Sequence, residues 1–261
     1  MVFWRKGVAD GANSSALLCD PGARPYATFE EVGMTIGGHQ ILDNISLSLE
    51  EHRIGVIGLN GSGKSSFVRL LNGLRSPSRG TLKLFGQIAS DVLKELPRHV
   101  GFVFQNPDHQ AIFPTVEEEI AFGLTQLGAD KRESRDQARR FLDTHGCLHL
   151  AGKPIAELSE GQKQLVCILA VLVMKPSLLV LDEPLTSLDA LASRRIRHML
   201  LSLPQKIVMV SHHLDHLESF DRILWLEDGT LRMDGTPSQV LPAYQADIDR
   251  KFEAVQEAEA F

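Results

Sequence analysis

The chain has 261 residues, 43% apolar side chains and a formal net charge of −6, enough to fill the core of one large or two small domains. The acidic balance argues against a general nucleic-acid binder, so no nucleic-acid partner is expected. Cys19, Cys147 and Cys167 are odd in number and far apart, which fits free thiols in a reducing compartment and not a disulfide frame or a zinc site.

Residues 1–26 read as a flexible extension, rich in Gly, Ser, Ala and Pro without periodicity. Order is expected from residue 27 to residue 241. Thr28–Ile36 and Ile41–Leu49 suggest strands joined through Gly37-Gly38. Arg53–Ile57 reads as a buried strand and Phe67–Leu71 as a helix, with a glycine-rich loop between them. Gly80–Phe85 and His99–Phe104 read as further strands. Helical patterning follows at 115–127 and 130–146, the second opened by a capping box of Asp130 with Glu133 and stopped by Gly146. A helical insertion is therefore expected over about 106–158. Beyond it the pattern gives helix 161–174, strand 177–182, helix 189–202 and strands at 206–210, 222–227 and 230–233. The tail 242–261 is acidic, reads as a separate segment and suits a helix. The longest apolar run, Leu165–Met174, is well short of the ~20 residues a membrane helix needs. Arg5 and Lys6 lead into Gly, Asp and Asn, so no signal peptide is expected. Any role at a membrane would require docking on other subunits.

The loop Gly58-Leu-Asn-Gly-Ser-Gly-Lys64-Ser65-Ser66 has the composition of a phosphate cradle, and the strand before it and the helix after it supply the context that such a motif demands. Gly58, Gly61 and Gly63 allow a tight turn that brings backbone N–H groups, including those of Asn60 and Ser62, to phosphate oxygens. The helix beginning near Lys64 aims its positive end at the same anion. Lys64 is expected to reach the β- and γ-phosphates of ATP, Ser65 to give its hydroxyl to Mg²⁺ and Ser66 to touch the α-phosphate.

Leu178–Leu181 is an apolar strand that delivers Asp182 and Glu183 at its carboxyl end, where ligands gather in open parallel sheets. Asp182 suits Mg²⁺. Glu183 suits polarisation of the attacking water. Gln105, just after another apolar strand, can bind Mg²⁺ or water through its amide. His212, after the strand 206–210, can hydrogen-bond the γ-phosphate and hold Glu183 in line. Ser159 and the Gly161 amide open the helix 161–174 and can face an anion. A monomer that already has a cradle gains nothing from a second anion site, whereas a symmetric dimer can use it to complete the cradle of its partner. Ser159 is equally suited to being a plain helix cap, as is Asp189 after Ser187-Leu188.

The succession of Walker A, Gln105, Leu158-Ser-Glu-Gly-Gln162, Leu181-Asp-Glu-Pro184, Ser187-Leu-Asp189 and Ser211-His212 resembles an ABC-type ATPase over about residues 28–235. The resemblance implies an α/β fold: a P-loop NTPase (RecA-like) core with an N-terminal antiparallel β subdomain and a helical insertion. It implies ATP and Mg²⁺ as ligands, a homodimer or a dimer with a related ATPase, and ATP held between Lys64, Ser65, Gln105, Asp182, Glu183 and His212 of one subunit and Ser159 and Gly161 of the other. Phe104-Gln-Asn-Pro-Asp-His-Gln110 followed by Thr115–Gly123 is similar to the ATPases of energy-coupling factor (ECF) importers for vitamins and metals. In that group a transmembrane coupling protein and a substrate-capture membrane protein are partners, contacted here through about residues 108–122, which implies a peripheral position on the cytoplasmic face of the cell membrane. The run Arg53–Lys64 is most similar to biotin-transporter ATPases of this group. Cobalt, nickel or another vitamin as cargo, a conventional importer, a non-transport ATPase and a nucleotide-sensing regulator are the alternatives.

Three positions depart from the family pattern. Ile36 stands where an aromatic residue often stacks on adenine, leaving Tyr26 or Phe29 as replacements. Glu160 replaces a glycine beside the expected γ-phosphate, where a carboxylate is repulsive unless it turns to solvent. Leu165 stands where a basic residue is common, so slow hydrolysis is expected without the membrane subunits.

Overall fold

The computed structural model describes residue 20 and residues 22–259. Chain order is β1 (Ala27–Ile36), β2 (His39–Leu49), β3 (Arg53–Ile57), α1 (Lys64–Leu71), β4 (Arg79–Leu84), β5 (Gln87–Ile88), α2 (Leu96–His99), β6 (Val100–Val103), α3 (Val116–Gln126), α4 (Lys131–Thr144), α5 (Glu160–Leu172), β7 (Leu178–Asp182), α6 (Ala190–Ser202), β8 (Lys206–Val210), β9 (Arg222–Glu227), β10 (Thr230–Gly235) and α7 (Pro237–Glu259). A four-stranded antiparallel sheet runs β2-β1-β4-β5, and a six-stranded sheet runs β10-β9-β3-β8-β7-β6. The second is parallel except for its edge strand β10, which pairs antiparallel with β9. This is the α/β core with an N-terminal antiparallel subdomain and a helical insertion that the resemblance implies.

The parallel strands are apolar on both faces because both faces are covered. Successive side chains point to opposite sides. Leu179 and Leu181 of β7, with Ile207 and Met209 of β8, join the core beneath α3, α5 and α6. Leu178 and Val180, with Val208 and Val210, join the core shared with α1 and the antiparallel sheet. Each such side chain, fully buried, contributes roughly 1.5–3 kcal/mol. The sheet is thus fixed from both sides, and its carboxyl edge becomes a rigid platform.

Several boundaries differ from expectation. The strand expected to begin at His99 begins at Val100, because His99 closes the short helix α2. Asp130 caps α4, accepting from the amides of Arg132 and Glu133, but Glu133 does not return the bond and instead accepts from Gln137. The extension 1–26 lies mostly outside the described residues. At its end Tyr26 is fully buried and bonds through its backbone to Leu49 and Phe85, so the ordered domain includes it.

The expected boundary at 241/242 falls inside α7, which runs unbroken through Pro242. Composition marks this tail as acidic, yet tertiary contacts dock it on the sheet. Tyr244 packs edge-on to Trp225 with ring centroids 5.2 Å apart. Asp247, 5% exposed, pairs with Arg232 at 2.9 Å, and that guanidinium lies 4.3 Å above the Trp225 ring. Ion pairs with Lys251 and Arg232 hold the Asp247 carboxyl below the usual carboxylate range.

Candidate functional site

The glycine loop leaves β3 at Ile57 and turns directly into α1. Gly58 has φ +149°, and a side chain there would meet the Leu226 carbonyl at 2.2 Å. Gly63 caps α1 in the left-handed region with φ +96°. Only glycine meets both demands without strain. The loop forms one wall of a cleft of about 620 Å³, lined by Asn60, Gly61, Gly63, Lys64, Ser65, Ser66, Gln105, Glu183, Thr186 and His212 together with Ile41. Ser62 is buried behind this wall.

The cleft is electrostatically wired. Lys64 is 5% exposed, and its ammonium donates to the carbonyls of Gly58 and Leu59 at 2.8 Å each. Burial lowers its pKa against the opposing pull of Glu183 and Asp182. The Ser65 hydroxyl donates to Asp182 Oδ1 at 3.1 Å. Burial raises the pKa of Asp182, with Ser65 and Arg69 opposing. Glu183 accepts from Gln105 Nε2 at 3.1 Å and Thr186 Oγ1 at 3.2 Å, and His212 Nε2 lies 2.8 Å from its Oε1. Its backbone stands at φ +51°, a conformation that costs a non-glycine residue about 1–3 kcal/mol and is concentrated at functional positions.

Sequence reasoning missed Thr186 and Arg69. Thr186 follows the acid pair closely enough for a Thr three residues past the glutamate to have drawn notice. Arg69 lies 3.7 Å from Asp182 through a tertiary contact with no local signal.

Ser159 and Gly161 lie elsewhere. They line a different cleft of about 500 Å³ between α5 and α6, with Gln162, Leu165, Asp189 and Leu191. Ser159 forms a full capping box with Gln162. Asp189 likewise caps α6 through the Ala192 amide. Glu160 is half exposed and pairs with Lys163 at 3.1 Å, and Lys163 also holds Asp108 at 2.9 Å. Leu165 packs partly buried against the core. Neither replacement for the missing adenine aromatic is free: Tyr26 and Phe29 are 0% and 2% exposed, and Phe29 stacks on Phe67 at 4.9 Å. Ile36 remains exposed at the hairpin tip.

The ABC transporter family model matches residues 42–186, more than half of the chain. The chain belongs to the ABC transporter ATP-binding family. It binds and hydrolyses ATP. It is 41% identical over 210 residues to the biotin transport ATP-binding protein BioM of Rhodobacter capsulatus, covering 80% of this chain and 89% of that protein. It is 38% identical over 209 residues to the energy-coupling factor transporter ATP-binding protein EcfA of Syntrophomonas wolfei, covering 77% of each. Among solved structures, the ATP-binding cassette MJ0796, a dimer in a post-hydrolysis state bound to ADP and Pi, superposes with a TM-score of 0.71 at 25% identity, over 81% of this chain and 98% of that one. No helix among the described residues is long and apolar enough to cross a membrane.

Proposed function

We propose that this ABC ATPase energises an importer of the energy-coupling factor type, with biotin as the cargo. In this reading it works as a pair, each ATP enclosed between the Lys64 cleft of one subunit and the Ser159 turn of the other. The observation that carries the pairing is the division of anion-facing groups. Asn60, Gly61, Gly63, Lys64, Ser65 and Ser66 gather on one cleft with Gln105, Glu183 and His212, with Gly58 and Ser62 in the same loop, while Ser159 and Gly161 sit on another. A second copy brings the two together.

Lys64 and the loop amides hold the phosphates. Glu183 takes the proton side of the attacking water, and His212 and Thr186 fix its carboxylate from two directions. Ser65, Asp182 and Gln105 form an all-oxygen donor set that suits Mg²⁺. The burial that raises the Asp182 pKa is what a bound cation would offset. When bound, Mg²⁺ supplies charge neutralisation on the phosphate oxygens.

The membrane partner would dock on the segment after Gln105. Of the expected surface 108–122, Val116, Glu119, Ile120 and Ala121 are buried, so the docking face narrows to Asp108–Pro114, where Ile112 is 67% exposed. In this reading the protein sits peripherally on the cytoplasmic face of the membrane. The names of BioM and EcfA support the importer type, and BioM supports the cargo.

Glu183→Gln tests the engine. It keeps the hydrogen-bonding shape but removes the base, so the variant should accumulate as an ATP-bound dimer in sedimentation. Hydrolysis at the wild-type rate, or a monomer in saturating ATP, would remove the role of Glu183. The cargo is tested separately, by whether biotin uptake in cells carrying the full importer is lost on Lys64→Ala.

A further inference from the structure

Gln110 closes the loop that presents Gln105. Its Oε1 accepts from the Phe104 amide at 3.0 Å, and its Nε2 donates to the Cys167 carbonyl in mid-α5, also at 3.0 Å. Phe104 immediately follows the edge strand β6, so its N–H gains no sheet partner on that side. The Cys167 carbonyl is already aimed by helix geometry at the amide four residues on, so the bond from Gln110 is additional to the needs of the helix. The partners fix the orientation of the carboxamide, because an N–H can only donate and a C=O can only accept. A side chain of this length that both accepts and donates is glutamine.

The contacts around this strap run between the same two elements. Gln164 of α5, 1% exposed, donates to the Phe104 carbonyl at 3.4 Å. Lys163 of α5 pairs with Asp108 at 2.9 Å, an exposed pair worth little by itself. Pro107 lies buried in the loop, and Gln110 and Ala111 donate back to its carbonyl. One end of the arrangement is Gln105, 3.1 Å from Glu183. The other is the helix whose first turn is Ser159–Gly161.

We propose that Gln110 is a positioning residue that couples the Gln105 loop to α5, so that Gln105 in this subunit's cleft and the Ser159 turn facing the partner's nucleotide are set together. Gln110 does not line the Lys64 cleft and acts only through these elements. The inference rests on the proposed roles of Gln105 and Ser159.

Gln110→Glu tests it in the full-length chain. A carboxylate still accepts from Phe104 but cannot donate to Cys167. The expected result is a folded protein whose kcat falls on the order of 10-fold, with KM for ATP within about twofold because no nucleotide contact is lost. In a Gln105→Ala background the same substitution should cost nothing further, since coupled residues are non-additive. Wild-type kcat, or losses that multiply, would overturn the proposal. Hydrogen exchange gives a readout independent of Gln105. ATP should raise protection of 104–113 and 159–167 together in the wild type and separate the two responses in the variant. Responses that stay joined also overturn the proposal. If Gln105→Ala alone keeps wild-type turnover, the proposed role of Gln105 fails, and the exchange result decides Gln110. If Gln110→Glu does not fold, Gln110→Met replaces it, and failure of both assigns the residue to stability alone.

Discussion

The Lys64 cleft and the Ser159 cleft differ in how they are held. Around Lys64, function-bearing side chains from four separate elements contact one another: Ser65 touches Asp182, and Gln105, Thr186 and His212 converge on Glu183. Around Ser159 the polar groups are spent on the local backbone, with Ser159 and Gln162 capping each other and Asp189 capping α6. The first cleft is preorganised for a charged ligand. The second is a pair of well-made helix starts. A site of this kind binds strongly only when something else brings the anion to it.

The largest effect should separate the two. Lys64→Ala removes a nearly buried cation, and charged hydrogen bonds of this kind are worth about 1.5–3 kcal/mol, so nucleotide binding by the isolated chain should weaken roughly 10- to 100-fold. Ser159→Arg should leave that binding within about twofold while abolishing ATP-dependent dimerisation, with only ~1 kcal/mol lost from the α5 cap. Calorimetric titration and sedimentation measure both. Equal loss of binding in the two variants would erase the distinction between the clefts.

A smaller effect tests the wiring inside the first cleft. Burial raises the Asp182 pKa, so the folded chain holds this proton more tightly than the unfolded chain does. The contribution of Asp182 to stability is then greatest below its unfolded pKa and is lost as pH rises through the folded value. Without nucleotide, Asp182→Asn should raise the Tm by a few degrees at neutral pH. The gain should vanish as pH falls through the raised Asp182 range, where the wild-type carboxyl takes up its proton. Activity should be lost at every pH. A Tm gain that persists in acid, or no gain at neutral pH, would show that desolvation of Asp182 is not the source.

Local sequence carried the cradle and the acid pair because their geometry is set within a few residues: glycines whose positive φ turns β3 into α1, and a strand that ends at Asp182. Thr186 bonds to Glu183 only three residues back and could have been picked out locally, whereas Arg69 reaches Asp182 and Gln110 reaches Cys167 across the fold, contacts that no local pattern shows. The status of Tyr26 and Phe29 was illegible for another reason. The pairing of β1 with β2 shifts register between Phe29 and Val32 and again toward Thr35, so counting by twos back from Ile36 does not reach the correct face at Phe29, and Tyr26 precedes the strand. The helix of the tail was legible, but its docking was not, because acidity describes composition, whereas the place of Asp247 depends on Arg232, visible only once β10 lies beneath α7.

The smallest expected effect concerns Glu160, the residue that most disturbs the family pattern of the second cleft. Its carboxylate is about half exposed and paired with Lys163, so its charge is partly neutralised and turned along the helix. It also sits in the first turn of α5, where a negative charge is favourable by about 0.3–1 kcal/mol. Glu160→Gly gives up that term and the pairing, for a Tm decrease of a few degrees at most. It also removes the remaining repulsion toward a partner's γ-phosphate. Hydrolysis by the dimer should therefore be unchanged or modestly faster, with a lower ATP concentration needed for dimerisation. A steep loss of activity would mean that the Lys163–Glu160 pair, and not the bare Ser159–Gly161 amides, is what the second cleft offers across the interface.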